Sequence, residues 1–313
     1  MGGGGAVRVG VVGAGAVGGY FGALLSRAGH PVTLLARGAH LEAIRREGLR
    51  VRSVQAGGGE WVAWPEATEQ ASGTGPQDLI LFAVKSYDTE GAARAMAPWV
   101  GPSTTILCLQ NGVENEGKLA ALYGMGRVVP AVAYIGAERV APGVIEHRAR
   151  GELVVGEPEG GSSPRLEQLR QVLADAGIPV QVAEDIWAAK WEKMLFNVAL
   201  NAASALTGAT GARLVAAPRS RWLFEASVRE ALAVARAQGV PLDDGVVDRV
   251  VAAAAALPAV SSMYHDLVRG KPLELESFNG YVVREGERLG IPVPVNATLY
   301  GLMEARQASG RGS

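Results

Sequence analysis

One short run of glycines near the start of the chain constrains the fold more than any other feature. Its residues are Gly13, Ala14, Gly15, Ala16, Val17 and Gly18, which match the pattern G-x-G-x-x-G. The run follows a β-branched segment at 7–12 that predicts a strand, and it precedes a segment that predicts a helix. In that context the first glycine permits a tight turn, the second lets backbone approach a pyrophosphate, and the third lets the helix pack on the strand. The pattern therefore predicts a dinucleotide site at the first turn of a βαβ unit.

The second predicted strand, PVTLLAR at 31–37, favours NADP over NAD. An NAD site usually carries an Asp or Glu at the end of this strand, where the carboxylate binds the ribose 2′-OH. Here the strand ends on Arg37 and has no acid. A guanidinium can pair with a 2′-phosphate through a forked, charge-assisted contact. We therefore expect NADPH as the cofactor, with Arg37 on its 2′-phosphate and His40 or Arg45 as candidates to assist.

Strand and helix signals alternate along the chain up to about residue 184. A near-continuous apolar run at 78–85 is typical of a parallel strand covered on both faces, and a second run at 104–110 predicts its neighbour. Beyond residue 184 the strand signals vanish and helical patterns dominate. We therefore predict an α/β, Rossmann-type, doubly wound domain at 1–184 that binds NADP, and an all-α substrate and catalytic domain at 185–313.

Several local boundaries are also predicted. EWVAWPEA at 60–67 is expected to be strand or edge structure, GVIEHRA at 143–149 and ELVVGE at 152–157 are expected to be strands, and a helix is expected to start near Asp243. The Gly2–Gly5 run predicts a disordered lead, and the final RQASGRGS predicts a loose tail.

The composition of the 313-residue chain excludes several classes of partner. Its formal net charge is −1, so no overall field favours nucleic acid or an acidic membrane. The longest apolar run, at 250–260, is too short for a bilayer and contains Pro258. Cys108 is the single cysteine and the four histidines are scattered, so neither an intrachain disulfide nor a metal site is expected. A single cysteine makes a reducing cytoplasm the simplest location, and we therefore expect a cytoplasmic protein.

Two polar loops follow predicted strand ends, which is where α/β proteins bind ligands. Lys85 ends the run at 78–85, and Asn111 begins an Asn-Gly turn after the run at 104–110. Taken alone, each is explained equally well by the ordinary polarity of a loop.

The segment KWEKMLFNVALNAASAL at 190–206 predicts an apolar helix that carries one polar row. Lys193, Asn197 and Asn201 recur every four residues, which places them on one face. Leaving a buried amide without a partner costs about 1–3 kcal/mol, and asparagine is a poor helix former. The row either faces solvent or lines a polar ligand site. The near absence of charge after Lys193 favours the ligand site.

Together these motifs resemble the ketopantoate reductase (2-dehydropantoate 2-reductase) family over nearly the whole chain. Its members reduce ketopantoate to pantoate with NADPH in the pathway to pantothenate and coenzyme A. The residues that carry the resemblance are the loop at 13–18, Arg37, Lys85, Asn111-Gly112, Lys193 with Asn197 and Asn201, SSM at 261–263, Glu274 twelve residues after Ser262, and Asn279-Gly280.

The resemblance implies a role for each of these side chains. Lys193 is the catalytic lysine, whose ammonium group hydrogen-bonds the C2 ketone and donates a proton as hydride arrives from the nicotinamide. Glu274 is the second catalytic residue and holds that lysine in place. Lys85 and Asn111 lie beside the nicotinamide and substrate and count among the cofactor-binding residues. The implied substrate-binding residues are Asn111, Asn197, Asn201 and Ser262.

One position departs from the family pattern and keeps alternatives open. Some relatives carry another substrate-contacting asparagine ten residues after the second helical one, where this chain has Gly211. An NADPH-dependent reductase of another branched 2-oxo acid therefore remains an alternative, as does a non-catalytic NADP-binding sensor. The row that begins at Lys193 argues against the sensor, which needs cofactor contacts only. The expected partner is a small 2-oxo acid, and alanine-rich faces such as 250–257 leave a homodimer open.

Overall fold

The computed structural model describes residues 5–55 and 57–309. The chain divides into two compact units, Met1–Ile186 and Trp187–Ser313. Residues 2–4 of the predicted lead and 310–313 of the predicted tail lie outside the described residues. Residues 306–309 belong to the last helix, so the prediction of a loose tail is wrong for them.

The first unit combines a sheet with flanking helices. Its strands are β1 (Val9–Val12), β2 (Val32–Leu35), β3 (Leu49–Ser53), β4 (Glu60–Ala63), β5 (Glu66–Thr68), β6 (Gln77–Phe82), β7 (Val100–Cys108), β8 (Val128–Ala141), β9 (Val144–Val155) and β10 (Val180–Val182). Its helices are α1 (Ala16–Arg27), α2 (Gly38–Glu47), α3 (Thr89–Ala95), α4 (Asn115–Tyr123) and α5 (Pro164–Asp175).

The second unit is helical throughout the residues described. Its helices are α6 (Ile186–Thr207), which starts at the last residue of the first unit, α7 (Gly211–Ala216), α8 (Pro218–Ala237), α9 (Val246–Ala255), α10 (Ser262–Val268), α11 (Asn279–Leu289) and α12 (Pro294–Ser309). No strand follows Val182 within the described residues, which confirms the predicted change to an all-α region.

The sheet confirms the predicted doubly wound fold. Strands β5, β2, β1, β6, β7 and β8 lie side by side in that order and are parallel. This is the order 3-2-1-4-5-6 of the Rossmann fold, and it reverses between β1 and β6. The sheet then continues through antiparallel β9 to β3 and β4, with β10 also pairing with β9.

Alternate side chains of the central strands enter two separate cores, one on each face of the sheet. Val9 and Val11 of β1 pack in the core that includes Phe21 of α1. Val12 packs in the other core, together with Leu119 of α4. Burial on both faces explains why these strands are almost wholly apolar in sequence.

Helix α1 lies against β1 at a distance that only glycine permits. A Cβ atom at Gly18 would come within contact distance of the Gly13 carbonyl oxygen and within 3.0 Å of the Val11 side chain. At Gly22 a Cβ atom would likewise lie 3.0 Å from Val11. The third glycine of the motif therefore acts through packing, as predicted.

Three local boundaries differ from the prediction. The segment 60–67 is divided at Pro65, with β4 on β3 and β5 on β2 at opposite ends of the strand order. Proline has no N–H for a sheet ladder, which accounts for the break.

The predicted strands at 143–149 and 152–157 form one strand, β9, which bends at Arg150 (φ 57°). Helix α9 starts three residues later than expected, at Val246.

Replacing Gly18 by alanine tests the close packing of α1. We expect Gly18→Ala to lower the free energy of unfolding by about 1–3 kcal/mol, because the added methyl group must displace backbone. Urea denaturation followed by tryptophan fluorescence measures this. Gly91→Ala in α3 is the control, since a Cβ atom there meets nothing within 4 Å. Equal stability of the two variants would contradict the account.

Candidate functional site

The glycine loop lies at the point where the strand order reverses. Gly13 has φ +100°, and a Cβ atom there would lie 2.7 Å from the Val84 backbone nitrogen. The N–H of Ala83 donates to Val12 O at 2.8 Å, which joins the two loops that follow β1 and β6. Ligands of open α/β sheets bind at this position.

The start of α1 is open and has no side-chain cap. Gly15 is the N-cap residue of this 12-residue helix, and as a glycine it has no side chain that could accept a hydrogen bond from the first-turn N–H groups. A Cβ atom at Gly15 would meet nothing within 4 Å. The free N–H groups and the helix dipole favour an anion here, so the loop fits a dinucleotide pyrophosphate.

Arg37 lies at the start of α2, two residues beyond β2. Its side chain is exposed, and the guanidinium forms no hydrogen bond or ion pair with any described residue. The two candidates to assist it, Arg45 and His40, form hydrogen bonds with other groups. Arg45 donates to Ala67 O at 3.0 Å, and both ring nitrogens of buried His40 are hydrogen-bonded to backbone. The suggestion that His40 binds the 2′-phosphate is therefore wrong.

Lys85 and Asn111 lie in the loops after β6 and β7. Lys85 is half-buried and precedes a short 3-10 turn at Ser86–Asp88. Asn111 is also half-buried, and its carboxamide forms no hydrogen bond within residues 5–55 and 57–309. The amide of Asn111 is thus available to a ligand, whereas Lys85 has interactions of its own.

A buried polar network fixes these two loops, and the sequence analysis missed it. Gln110 donates to Val84 O at 3.0 Å and to the Thr89 hydroxyl at 2.8 Å. Asn115 Nδ2 donates to Asn111 O at 2.8 Å, and its Oδ1 lies 3.0 Å from Thr89 Oγ1. The sequence does contain a signal for this network. Polar residues stand at predicted helix starts next to buried strands, where they need hydrogen-bond partners inside the protein.

The lysine–asparagine row lies on α6, a helix without interruption. Lys193 and Asn197 are half-buried, and Asn201 is 2% exposed. The Asn197 carboxamide forms no hydrogen bond among the described residues, and neither does Asn201 Nδ2. A buried donor of this kind costs about 1–3 kcal/mol unless a ligand supplies an acceptor.

Two serines attach the start of α10 to α6 beside Asn201. Ser261 caps α10 by accepting from Tyr264 N, and its hydroxyl donates to Asn201 O at 3.3 Å. Its own N–H donates to Ser204 Oγ at 2.9 Å. This arrangement places the exposed Ser262 at the first residue of α10, with its hydroxyl free of hydrogen bonds to described residues.

Two buried asparagines link α6 to α12 and α8. Asn279 donates to Val198 O on α6 at 3.1 Å and to Asn296 Oδ1 on α12 at 3.0 Å. Asn296 donates to Ser227 O at 3.1 Å and to a carboxylate oxygen of Glu230 at 2.7 Å, both on α8. Asn279, singled out in the sequence as part of a motif, thus supports the helix that carries the polar row.

Two further positions complete the helical unit. Glu274 is 8% exposed, precedes a 3-10 turn at Leu275–Ser277 and has polar interactions of its own. Gly211 begins α7 against α9, where a Cβ atom would lie 2.7 Å from Ala254 O. The observed packing therefore leaves no room for a side chain at Gly211, the position that departs from the family pattern.

Three further properties bear on partners. Within the described residues, no group of three or more His, Cys, Asp or Glu side chains could hold a metal ion. No described helix is long and apolar enough to cross a membrane. Cys108 is buried and is not in a disulfide.

Comparison with known proteins gives one consistent family. The family described as ketopantoate reductase PanE/ApbA matches residues 9–160, and its C-terminal part matches residues 185–307. The 2-dehydropantoate 2-reductase of Halobacterium salinarum is 36% identical and covers 97% of this chain and 100% of its own. A solved ketopantoate reductase of the PanE/ApbA family from Ralstonia eutropha JMP134 is 39% identical with a TM-score of 0.90, covering 97% of this chain and 99% of its own.

A more distant neighbour shares the fold alone. The structure of D-mandelate dehydrogenase with NADH and anilino(oxo)acetate has a TM-score of 0.89 at 22% identity, covering 98% of this chain and 100% of its own. The Rossmann-type sheet and the open glycine loop are those of a dinucleotide-binding protein. The similarity to full-length reductases defines the class, an oxidoreductase. Within that class, the chain belongs to the ketopantoate reductase family.

Proposed function

We propose that this chain reduces ketopantoate to pantoate with NADPH, in the pathway to pantothenate and coenzyme A. One observation supports this more than any other. Asn197 and Asn201 follow Lys193 on α6, and neither the Asn197 carboxamide nor Asn201 Nδ2 has a hydrogen-bond partner among the described residues. By contrast, Asn279 Nδ2 and Asn296 nearby are hydrogen-bonded internally, and only the Asn279 Oδ1 atom of that pair is unpaired. A polar ligand that binds along α6 would supply the missing acceptors.

Two features of the first unit support NADPH as the cofactor. The loop at 13–18 would hold the pyrophosphate at the start of α1, where Gly15 leaves space. Arg37 would hold the 2′-phosphate, because its guanidinium is exposed and unpaired among the described residues and no carboxylate follows β2. Lys85 and Asn111 would lie beside the nicotinamide. When bound, NADPH supplies the hydride that reduces the C2 ketone.

The side chains of the second unit would bind and protonate the substrate. Lys193 as an ammonium ion would hydrogen-bond the ketone oxygen, stabilise the negative charge that develops there, and donate a proton to it. Glu274 would hold that lysine in position. The substrate-binding groups would be the amides of Asn197 and Asn201 on the hydroxyl, with Ser262 and Asn111 on the carboxylate.

The alternative substrates are other branched 2-oxo acids. The 36% identity to a full-length 2-dehydropantoate 2-reductase favours ketopantoate over them. Gly211 has no space for the third asparagine that some relatives carry, so Asn197 and Asn201 are left to select the hydroxyl. A site that hydrogen-bonds a substrate hydroxyl rejects the analogue that lacks it.

A substrate series tests the proposed reaction. We expect NADPH oxidation, followed by the loss of its absorbance, to be faster with ketopantoate than with 2-oxoisovalerate or pyruvate, because only ketopantoate offers a hydroxyl to the two amides. Equal or better kcat/KM with 2-oxoisovalerate would identify a general 2-oxo acid reductase instead. No turnover with any of the three, while NADPH binds, would support the sensor.

Replacing Lys193 by alanine separates catalysis from cofactor binding. We expect kcat to fall by about 10²–10⁴-fold, because the proton donor is lost, while NADPH binding is retained. Stopped-flow turnover and fluorescence titration measure the two quantities. Glu192→Ala is the control on the same helix, since Glu192 pairs with Arg249 at 2.9 Å. Turnover of Lys193→Ala near that of Glu192→Ala would remove Lys193 from the mechanism.

Replacing Arg37 by alanine tests the choice of dinucleotide. We expect NADPH to bind about 10–100-fold more weakly, since a charge-assisted contact is lost, with NADH binding unchanged. Arg46→Ala is the matched control, because Arg46 is exposed at the other end of α2 and pairs with Glu47 at 2.6 Å. An unchanged preference between the dinucleotides in Arg37→Ala would exclude Arg37 from the 2′-phosphate site.

Two expectations about the surroundings of the enzyme are also proposed. A homodimer is supported by large apolar side chains that are exposed on the second unit, among them Trp222 on α8 and Leu302 on α12. A cytoplasmic location is supported by the single, buried and unbridged Cys108. Light scattering gives the mass that tests the dimer.

A further inference from the structure

His40 links the glycine loop to a distant turn of the first unit. It lies in the first turn of α2 and is 5% exposed. Its Nδ1 lies 2.8 Å from Gly143 N, and its Nε2 lies 2.7 Å from Ala14 O. A backbone N–H can only donate and a carbonyl can only accept. The ring is therefore neutral, with Nδ1 accepting from Gly143 and Nε2–H donating to Ala14.

The hydrogen bond to Ala14 orients one peptide group in the middle of the glycine loop. Ala14 is held on its other side as well, where its N–H donates to Leu35 O at 3.3 Å. In a trans peptide the C=O and the following N–H point in opposite directions. Directing the Ala14 carbonyl towards His40 thus directs the Gly15 N–H away from it, at the residue that caps α1.

The other partner of His40 is itself fixed. Gly143 lies in the turn between β8 and β9 with φ +71°, and a Cβ atom there would lie 2.9 Å from Ala43 Cβ of α2. Its carbonyl accepts from Arg50 N on β3 at 2.9 Å. The turn is therefore held by contacts other than the one to His40, and its N–H sets the position of the ring.

The surroundings of His40 keep the ring neutral. Burial lowers the pKa of His40 below its usual value, and the charge of Arg139 on β8 lowers it further, whereas the hydrogen bond to Ala14 acts in the opposite direction. A second ring proton would have to sit on Nδ1, facing the N–H of Gly143. Protonation therefore breaks the link to the turn.

We propose that His40 is a positioning residue for the dinucleotide, which it serves by fixing the Ala14–Gly15 peptide of the glycine loop. The inference rests on the proposed function, in which that loop binds the pyrophosphate. It is independent of Arg37 and of the 2′-phosphate. NADPH and NADH should therefore depend on His40 in the same proportion.

Three variants of His40 test the proposal through dissociation constants. We expect His40→Ala to weaken NADPH and NADH alike, by about tenfold, because the loop loses one buried hydrogen bond that orients it. His40→Gln should recover most of this loss, since its amide can donate to Ala14 in place of Nε2. His40→Leu, which fills the space without a donor, should not recover it. Isothermal titration calorimetry measures each constant.

The pH dependence distinguishes positioning from a purely structural role. Because the pKa of His40 is lowered, binding of NADP⁺, which is stable in acid, should weaken in wild type relative to His40→Gln only as the pH falls below the usual imidazole range. The 2′-phosphate titrates in both proteins, so their ratio reports the histidine. An unchanged ratio down to the pH at which the fold is lost would contradict the positioning role. His30→Ala is the control, because His30 Nδ1 also accepts a backbone N–H, from Val7, and burial also lowers its pKa.

Each outcome of these titrations has a separate meaning. If wild type binds neither dinucleotide, the proposed function fails before His40 is tested. If wild type binds and His40→Ala loses thermal stability but keeps both dissociation constants, His40 is only a structural residue and the inference is wrong. A loss confined to NADPH would also overturn it, because that pattern belongs to the 2′-phosphate.

Discussion

The close approach of α1 to β1 is the contact on which the rest of the first unit depends. Gly18 meets the Gly13 carbonyl with no space for a Cβ atom, and this fixes the tight turn between strand and helix. This tight turn leaves the start of α1 uncapped at Gly15. It also brings the Ala14 carbonyl within hydrogen-bonding distance of His40. A packing constraint at Gly13 and Gly18 thereby leaves the helix N–H groups beside Gly15 open to an anion, which is where the proposed pyrophosphate binds.

The second unit shows a division among its buried polar groups. Two that support α6, Asn279 and Ser261, donate hydrogen bonds to its backbone carbonyls, although Asn279 Oδ1 accepts none from a described residue. Those on the row itself, Asn197 and Asn201, keep amides without partners among the described residues. Folded proteins pair nearly all buried polar groups, and in the proposed function the substrate supplies the acceptors that these two amides lack. The polar residues that hold α6 in place are thus different from those proposed to bind the substrate.

The sequence predicts the fold well where local signals and packing agree. The glycine motif, the apolar central strands and the amphipathic helices are all in place, because burial on one or both faces leaves a clear pattern. It does not predict the division of 60–67 at Pro65 or the joining of two segments into β9, which depend on pairing between distant strands. Nor does it predict the contacts of His40, because Ala14 and Gly143 are brought to its two ring nitrogens only by the fold. Residue types identify the polar row on α6, whereas only three-dimensional packing shows which of its amides lack partners.

The transfer of a labelled hydride tests the central claim most directly. Purified protein would be incubated with ketopantoate and NADPH deuterated at both C4 positions, and the pantoate formed would be analysed by mass spectrometry and NMR. The account predicts one deuterium at C2 for each NADP⁺ produced, with the hydroxyl proton taken from water through the enzyme. Pantoate that carries solvent hydrogen at C2, or cofactor oxidation without pantoate, would contradict it.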